Sequence, residues 1–360
     1  MQPPQASNTL PPLGRMPSSA NDPLKTAVIL LNWRRPDLTL ACLASLLALE
    51  GSPPDIYVVD NHSEDDSIPR IREGLKQLAR EEPLRFRYEP RAPNEHSNSG
   101  DPSDHRAILT LIESSKNLGF GGGVNLGLRA ALLDPTIQLC WILNNDTEIT
   151  PLALEALKRG FREEASLGVL GSCLCYQEHP ERIQGVGGHY RPWIGTIQHV
   201  LGGQPYQKVI AASTRPPIDY AVGAAVCIRR EVLLEAGLFP EDYFLYFEDM
   251  DWAYSVRKKA PHWRLDYCLE SVVLHQEGAS TGANEARGKR TTYLADYYYQ
   301  RNRLRFARRW YPGRYPLVHL TQLLVFMNRV KRRQWRLAAL ALGLFFGWVP
   351  NRLKPRSTGD

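Results

Sequence analysis

Residues 26–60 read TAVILLNWRRPDLTLACLASLLALEGSPPDIYVVD, and this stretch decides the fold class. TAVILL (26–31) is a continuous apolar run with β-branched residues, the pattern of a strand buried on both faces. Pro36 and Asp37 open a helix, because proline lacks an N–H that the first helical position would leave unpaired anyway. The apolar positions of that helix run to Leu49, and Gly51 ends it. IYVVD (56–60) is a second strand. Strand, helix and strand in this order make a crossover unit.

Outward from this unit the alternation continues. A polar helix is predicted near 67–81, then a loop insertion over 89–106 (EPRAPNEHSNSGDPSDHR). AILTLIESS (107–115) is the third strand. A Gly-rich turn (119–123) leads into a helix over 124–133, and LCWIL (139–143) is the fourth strand. Thr150 and Pro151 are placed as N-cap and first residue of the next helix. The pattern predicts an α/β fold on a doubly wound, mostly parallel sheet. Further strands are expected near 168–174, 183–190, 219–228 and 263–274, with a helix from about Glu248 and a helical extension from 288. Residues 1–24, rich in Pro, Ser, Asn and Gln, read as a disordered arm.

Of the 360 residues, 43% are hydrophobic and 23% charged, which excludes a mainly disordered or fibrous chain. The net charge of +6 is uneven. Residues 301–360 carry 14 Lys and Arg against one acid, Asp360, whereas the remaining 300 carry 30 bases against 37 acids. A basic end on an acidic body points to an anionic partner, a membrane surface or nucleic acid. RNRLRFARRW (301–310) mixes basic and aromatic residues but belongs to no recognisable nucleic-acid module, so nucleic acid is not expected as a partner. The apolar run 337–349 is too short to span a bilayer, which takes about 20 residues. The six cysteines form no CxxC pair and several lie in apolar runs, as small buried hydrophobes do in a reducing compartment. No charged-then-apolar leader opens the chain, so secretion is not expected and a cytoplasmic location is.

In an open α/β sheet, ligands bind beyond the carboxyl ends of the strands. The residues there are Asn32-Trp33-Arg34-Arg35, Asp60-Asn61, Asn117-Leu118-Gly119 and Asn144-Asn145-Asp146. Trp33 offers a plane on which a base can stack, and Asp60 an acceptor for a base N–H or a ribose hydroxyl. NLGFGGGVNLG (117–127) fits GxGxxG in no register, which removes the main support for hydride transfer. Its glycines serve either a ligand that approaches the backbone at a helix start or tight strand–helix packing. The Asp146 carboxylate can bind Mg2+ or Mn2+, with a diphosphate completing the shell, or act as a turn residue. FLYFEDMDW (244–252) puts three acids into four positions. In a helix start Glu248 and Asp251 share a face and Asp249 points elsewhere. The acids either favour the helix N-terminus or include a general base in an aromatic-walled site. His275 stands at a strand end and gains significance if it faces Asp146.

Together these segments resemble the family 2 glycosyltransferases of the GT-A (nucleotide-diphospho-sugar transferase) fold, nearest the rhamnosyltransferase-like branch. VILLNWRRPDL, YVVDNHSEDDS, NLGFGGGVNLGL, WILNNDTEI, GLFPEDYFLYFEDMDWAYSVR, VLHQEGAST and YYYQRNRLRF carry the resemblance, in that order, over about residues 26–312. It implies a GT-A catalytic domain over 25–286 and a basic helical extension over 287–360. It implies that Asn32, Trp33, Arg35, Asp60, Asn117, Gly119, Gly122, Asn125, Asn145 and Arg301 bind a nucleotide sugar. Asp146 and His275 would hold the metal, and Asp249, beside Glu248, would be the catalytic base. Asn144 and Asn145 stand where many members have carboxylates, which lowers the charge available to a metal.

The implied activity is inverting transfer of a sugar, rhamnose first, to a hydroxyl of a lipid-linked or cell-surface polysaccharide acceptor. The donor would be dTDP-rhamnose or a UDP-sugar. Galactosyl or galactofuranosyl transfer, or a non-catalytic sugar-binding relative, are the alternatives. The basic helices would dock on the inner face of the cell membrane.

Overall fold

A computed structural model describes residues 24–89, 106–212, 215–276 and 293–349. The arm foreseen over 1–24, all but Leu24, lies outside the described residues. So do most of the 89–106 insertion and the boundary foreseen at 286–287.

The chain runs β1 (Thr26–Asn32), α1 (Pro36–Leu47), β2 (Asp55–Asp60), α2 (Ser67–Glu81), β3 (Phe86–Tyr88), β4 (Ala107–Glu113), α3 (Gly119–Leu132), β5 (Leu139–Asn144) and β6 (Thr147–Ile149). It continues with α4 (Ala153–Glu163), β7 (Leu167–Tyr176), β8 (Ile183–Gly185), β9 (Gly188–Arg191), β10 (Thr196–His199), α5 (Tyr206–Ile210), β11 (Ala225–Arg229) and α6 (Arg230–Ala236). Then follow a 3-10 turn (Glu241–Tyr243), α7 (Glu248–Lys259), β12 (Arg264–His275), α8 (Tyr293–Trp310), α9 (Tyr315–Lys331) and α10 (Trp335–Phe345).

The main sheet has the order β3-β4-β2-β1-β5-β11-β7-β12-β6. From β3 to β5 every pairing is parallel, as expected for crossovers through helices. β11 enters antiparallel to both β5 and β7, and β6 antiparallel to β12. Side chains alternate faces along a strand, so TAVILL fills two cores at once. Ala27 and Ile29 pack with Val124 and Leu128 of α3; Val28 and Leu30 pack with Leu43 and Leu46 of α1. That is why the run is apolar without interruption.

Register decides what lies at the carboxyl edge. Asn32 pairs with Asp60, Leu31 with Asn144, and Asp60 with Glu113. The polar ends of β1, β2, β4 and β5 therefore come level with one another, as the four clusters required.

Several local expectations are corrected. The glycines 119–123 form the first turns of α3 itself, not a turn before it. α4 starts at Ala153; Pro151 and Leu152 turn before it, and the Thr150 hydroxyl donates to the Val272 carbonyl at 2.8 Å instead of capping. The strand expected over 219–228 begins only at Ala225, and that over 183–190 is two short strands, β8 and β9. β3, β6 and β10 have three or four residues each, too short for a period to show. All six cysteines are free and buried.

Candidate active site

The ends of β1, β2 and β5 are tied by a buried polar chain. Asn32 Nδ2 donates to Asp60 Oδ2 at 2.7 Å, and the Ser63 N–H donates to Asp60 Oδ1 at 2.7 Å. The Thr39 hydroxyl donates to Asn32 Oδ1 at 2.7 Å, and Asn145 Nδ2 donates to the Thr39 oxygen at 3.0 Å. Asn32, Thr39 and Asp60 have no exposed surface. Each member holds the next in place, so Asn32, Asp60 and Asn145 form one unit. Trp33 stands half-buried just beyond, with the Arg34 guanidinium 5.3 Å from its ring centre, and Arg35 is exposed.

Asn61 fixes the Gly-rich segment. Its Nδ2 donates to the Gly119 carbonyl at 2.9 Å and to Asn117 Oδ1 at 3.1 Å, and its Oδ1 accepts the Leu118 N–H at 2.9 Å. The Gly119 N–H goes to Asn117 Oδ1 and the Phe120 N–H to the Phe244 carbonyl. Gly119 has φ +71°, and a Cβ on it would collide with the Phe244 backbone; one on Gly121 would press on the Pro240 carbonyl and one on Gly122 on Leu118. Here the glycines let the chain approach itself. Asn125 is buried further along α3, where its amide bonds both the N–H and the carbonyl of Phe239 and also Glu241.

Asp146 and His275 are brought together by β6, whose Thr147 pairs with His275. His275 Nε2 lies 3.2 Å from Asp146 Oδ1; Asp146 is buried and His275 largely so. His275 Nδ1 is 2.7 Å from Gln184 Oε1. A carbonyl oxygen only accepts, so Nδ1 carries a hydrogen, and in the neutral ring Nε2 then presents a lone pair. Nε2 and Oδ1 have no hydrogen-bond partner among the described residues. Two lone pairs facing at this distance suit a shared cation, and the acceptor on Nδ1 is the usual support of a metal-binding histidine. The two residues thus fit Mg2+ or Mn2+ as part of a shell. Among the described residues no group of three His, Cys, Asp or Glu side chains gathers there. A metal would need further oxygen ligands from elsewhere, as a diphosphate supplies.

Gly223 is where this edge meets the acidic pair. The Asn144 N–H donates to the Ala224 carbonyl at 2.9 Å, and the neighbouring Gly223 N–H donates to Asp249 Oδ2 at 3.0 Å. Asp249 Oδ1 accepts the Met250 N–H at 2.8 Å. A Cβ on Gly223 would sit 3.2 Å from the Phe120 ring and 3.3 Å from Asp249 Cβ. α3, α7 and the end of β5 therefore converge on one glycine. Glu248 is buried, and burial together with the charge of Asp249 pushes its carboxyl up to about 8. Burial also raises Asp249, against the backbone N–H bonds it accepts. Both carboxyls are thus pushed toward the protonated form, and the backbone N–H donors from Gly223 and Met250 favour the charged form of Asp249. Asp251 plays no part in the pair: it accepts the Tyr243 hydroxyl (2.6 Å) and Trp310 Nε1 (2.9 Å) and pairs with Arg309.

The segment entering α7 is strained. Phe244, Tyr246 and Phe247 have φ of +68°, +66° and +74°, which bulky residues rarely adopt. Asn302 of α8, fully buried, holds it by donating from Nδ2 to the carbonyls of Tyr243, Leu245 and Tyr246 at 2.7 to 3.0 Å. Arg301 lies on the same segment, donating to the carbonyls of Asp242 and Tyr243. Sequence reading missed Thr39, Gln184, Gly223 and Asn302, and placed Asn61 at a strand end without its role of holding the Gly-rich segment. Only Gly223, an isolated glycine before an apolar strand, left a signal of close backbone approach.

A sheet of this order, with its polar edge, a carboxylate–histidine pair and an acidic pair at the head of α7, is the arrangement of the GT-A fold. Residues 103–236 match the family described as Glycosyl transferase family 2. The N-acetylglucosaminyl-diphospho-decaprenol L-rhamnosyltransferase of Mycobacterium tuberculosis is 24% identical over 212 residues, 54% of this chain and 67% of that protein. A low-salt glycan biosynthesis hexosyltransferase of Haloferax volcanii is 24% identical over 42% of this chain and 47% of its own length. Among solved structures, GalNAc-T7 with UDP, GalNAc and Mn2+ superposes with TM-score 0.52 and 14% identity over 78% of this chain. This chain spans about half (51%) of the GalNAc-T7 chain. S. aureus TarS 1–349 superposes with TM-score 0.50 and 14% identity, over 91% of this chain and 82% of that one. These two likenesses concern the fold alone. The chain is thus similar to family 2 glycosyltransferases, over residues 103–236 to the family as a whole and over 212 residues to a rhamnosyltransferase-like member.

Proposed function

We propose that this enzyme transfers a sugar, with inversion, from a nucleotide-diphosphate donor to a hydroxyl of a lipid-linked acceptor. The observation that carries the reading is Asp249, a part-buried carboxylate held by the Gly223 N–H beside the polar strand ends, next to the buried Glu248. Asp249 accepts the proton of the acceptor hydroxyl as that oxygen attacks the anomeric carbon. The bond from that carbon to the diphosphate oxygen breaks on the opposite face, and the nucleoside diphosphate leaves. Trp33 stacks on the base, Asp60 and the Asn32–Asn145 network shape the nucleoside site, and Arg35 and Arg301 stand for the diphosphate. Asp146 and His275 would hold Mg2+ or Mn2+, which when bound neutralises charge on the departing diphosphate.

The relatives named for L-rhamnosyl transfer to a decaprenol-linked acceptor support dTDP-rhamnose as first donor and a polyprenyl diphosphate glycan as acceptor. UDP-sugars are the second choice. Such an acceptor would place the enzyme at the inner face of the cell membrane. The test is donor turnover with purified protein and a panel of dTDP- and UDP-sugars. Release of nucleoside diphosphate that Asp249→Asn abolishes supports the reading. Donor binding with no turnover, in wild type and variant alike and with an acceptor lipid present, overturns it.

A further inference from the structure

The C-terminal hairpin leaves one helix face without a protein partner among the described residues. α9 turns its Val318 and Gln322 inward, both fully buried against α8 and α10. At 100° per residue, Leu317, Leu320, Leu324 and Met327 fall on the opposite side. They are 46, 53, 61 and 54% exposed. A row of four large apolar side chains over three turns is more than the scattered exposure usual at a surface.

Charge says what covers it. Lys331 continues the row one turn on, and Arg332, Arg333 and Arg336 follow it, all exposed. Arg329, which the sequence groups with them, is engaged by Asp296 at 2.5 Å and does not count. Lys331, Arg332 and Arg333 form no ion pair among the described residues. By contrast, Arg305 and Arg309 of α8 pair with Asp242 and Asp251 of the acidic body. The His319 ring stacks on Phe345 at 4.9 Å, so α9 and α10 run antiparallel. Exposed Trp335 therefore lies at one end of the hairpin and exposed Phe346 and Trp348 at the other. An exposed apolar row with cations beside it and aromatic residues at the ends of the hairpin is the composition of a helix face that lies in the lipid headgroup region. No helix among the described residues is long and apolar enough to cross a membrane.

We infer that the outer face of α9, with the Lys331–Arg336 turn, lies on an anionic lipid bilayer. The apolar row enters the headgroup–acyl boundary and the cations meet the lipid phosphates. The inference deepens the lipid-linked-acceptor reading, but its test does not require turnover.

The experiment is co-sedimentation of the full chain with phosphatidylcholine vesicles, with and without phosphatidylglycerol. Wild type pellets with the anionic vesicles, less as salt is raised, and stays in solution with phosphatidylcholine alone. The pair Leu320→Glu, Leu324→Glu, and the triple Lys331→Glu, Arg332→Glu, Arg333→Glu, each lower partitioning at least about tenfold. Circular dichroism melts show them folded. Failure of wild type to pellet, equal pelleting with neutral vesicles, or unchanged pelleting of folded variants overturns the inference. A dimer in solution that Leu324→Glu dissociates, without vesicle binding, assigns the face to a second copy and overturns it too. A protein that pellets as stated yet turns over no donor overturns the transfer reading and leaves the docking face standing.

Discussion

Nε2 of His275 faces Oδ1 of Asp146 at 3.2 Å, while Gln184 holds the other ring nitrogen at 2.7 Å. Nδ1 therefore carries a hydrogen, and in the neutral ring the two facing atoms are both electron-pair donors. Mn2+ should bind more tightly with nucleoside diphosphate present. Asp146→Ala or His275→Ala should abolish that gain, and Gln184→Leu should weaken it about 10–100-fold through loss of ring orientation. Paramagnetic resonance of free Mn2+ measures each case. Identical affinity in wild type and Asp146→Ala would remove the metal from this pair.

Asp249 and Asp251 are two residues apart and should behave differently. Asp249→Asn lowers turnover about 10²–10⁴-fold and leaves donor affinity nearly unchanged. Asp251→Asn instead lowers the melting temperature, because Tyr243, Trp310 and Arg309 all converge on that carboxylate. Calorimetric donor titration and thermal melts separate the two effects. A larger loss of turnover in folded Asp251→Asn than in Asp249→Asn would reverse the assignment.

The acidic pair also sets a pH dependence. The native Glu248 carboxyl titrates at about 8 against an ordinary 4.5, so between these values the folded chain binds more protons than the unfolded one. Its contribution to stability is full below the ordinary value and is lost as pH rises through the folded value. Glu248→Gln stays neutral throughout. Its melting temperature should exceed that of wild type above the folded value, and the gap should close toward acid. Parallel melting curves at every pH would show that Glu248 is not the buried proton holder. Turnover needs Asp249 ionised, and burial raises that group too, so the acid limb of activity should lie above the usual aspartate range.

Asn302 touches no residue of the acidic pair, yet it holds the carbonyls that set the path into α7. Asn302→Leu removes the two N–H groups that three carbonyls share, in a segment already at positive φ. Each buried acceptor left unpaired costs about 1–3 kcal/mol. The variant should melt lower and, where it stays folded, lose kcat more than donor affinity, because Asp249 shifts while the nucleoside site does not. Equal loss in both would make Asn302 a general stabiliser.

Most of the sheet was legible because burial on both faces leaves an unbroken apolar run, as in TAVILL, and because Pro36 marks a helix start. The helix at Glu248 was legible from its acids. The short strands were not: β6 has three residues, yet its pairing with β12 is what carries His275 to Asp146. The Gly-rich segment left two roles open, and the contacts of Gly119 and Gly121 with 240–244 show backbone packing. For Arg329 and Arg309, sequence alone could not tell a solvated cation from one engaged by Asp296 or Asp251.

The sequence by itself determined the parallel half of the sheet, the polar residues at its strand ends and the acids at the head of α7. Each follows from local periodicity or from residues adjacent in the chain. Only the tertiary structure decided which polar groups meet. Asp146 joins His275 across 129 positions, Asp249 is held by Gly223, and Asn302 grips the turn before Glu248. Those meetings depend on strand order and register, which are set by how whole faces pack and not by any one segment.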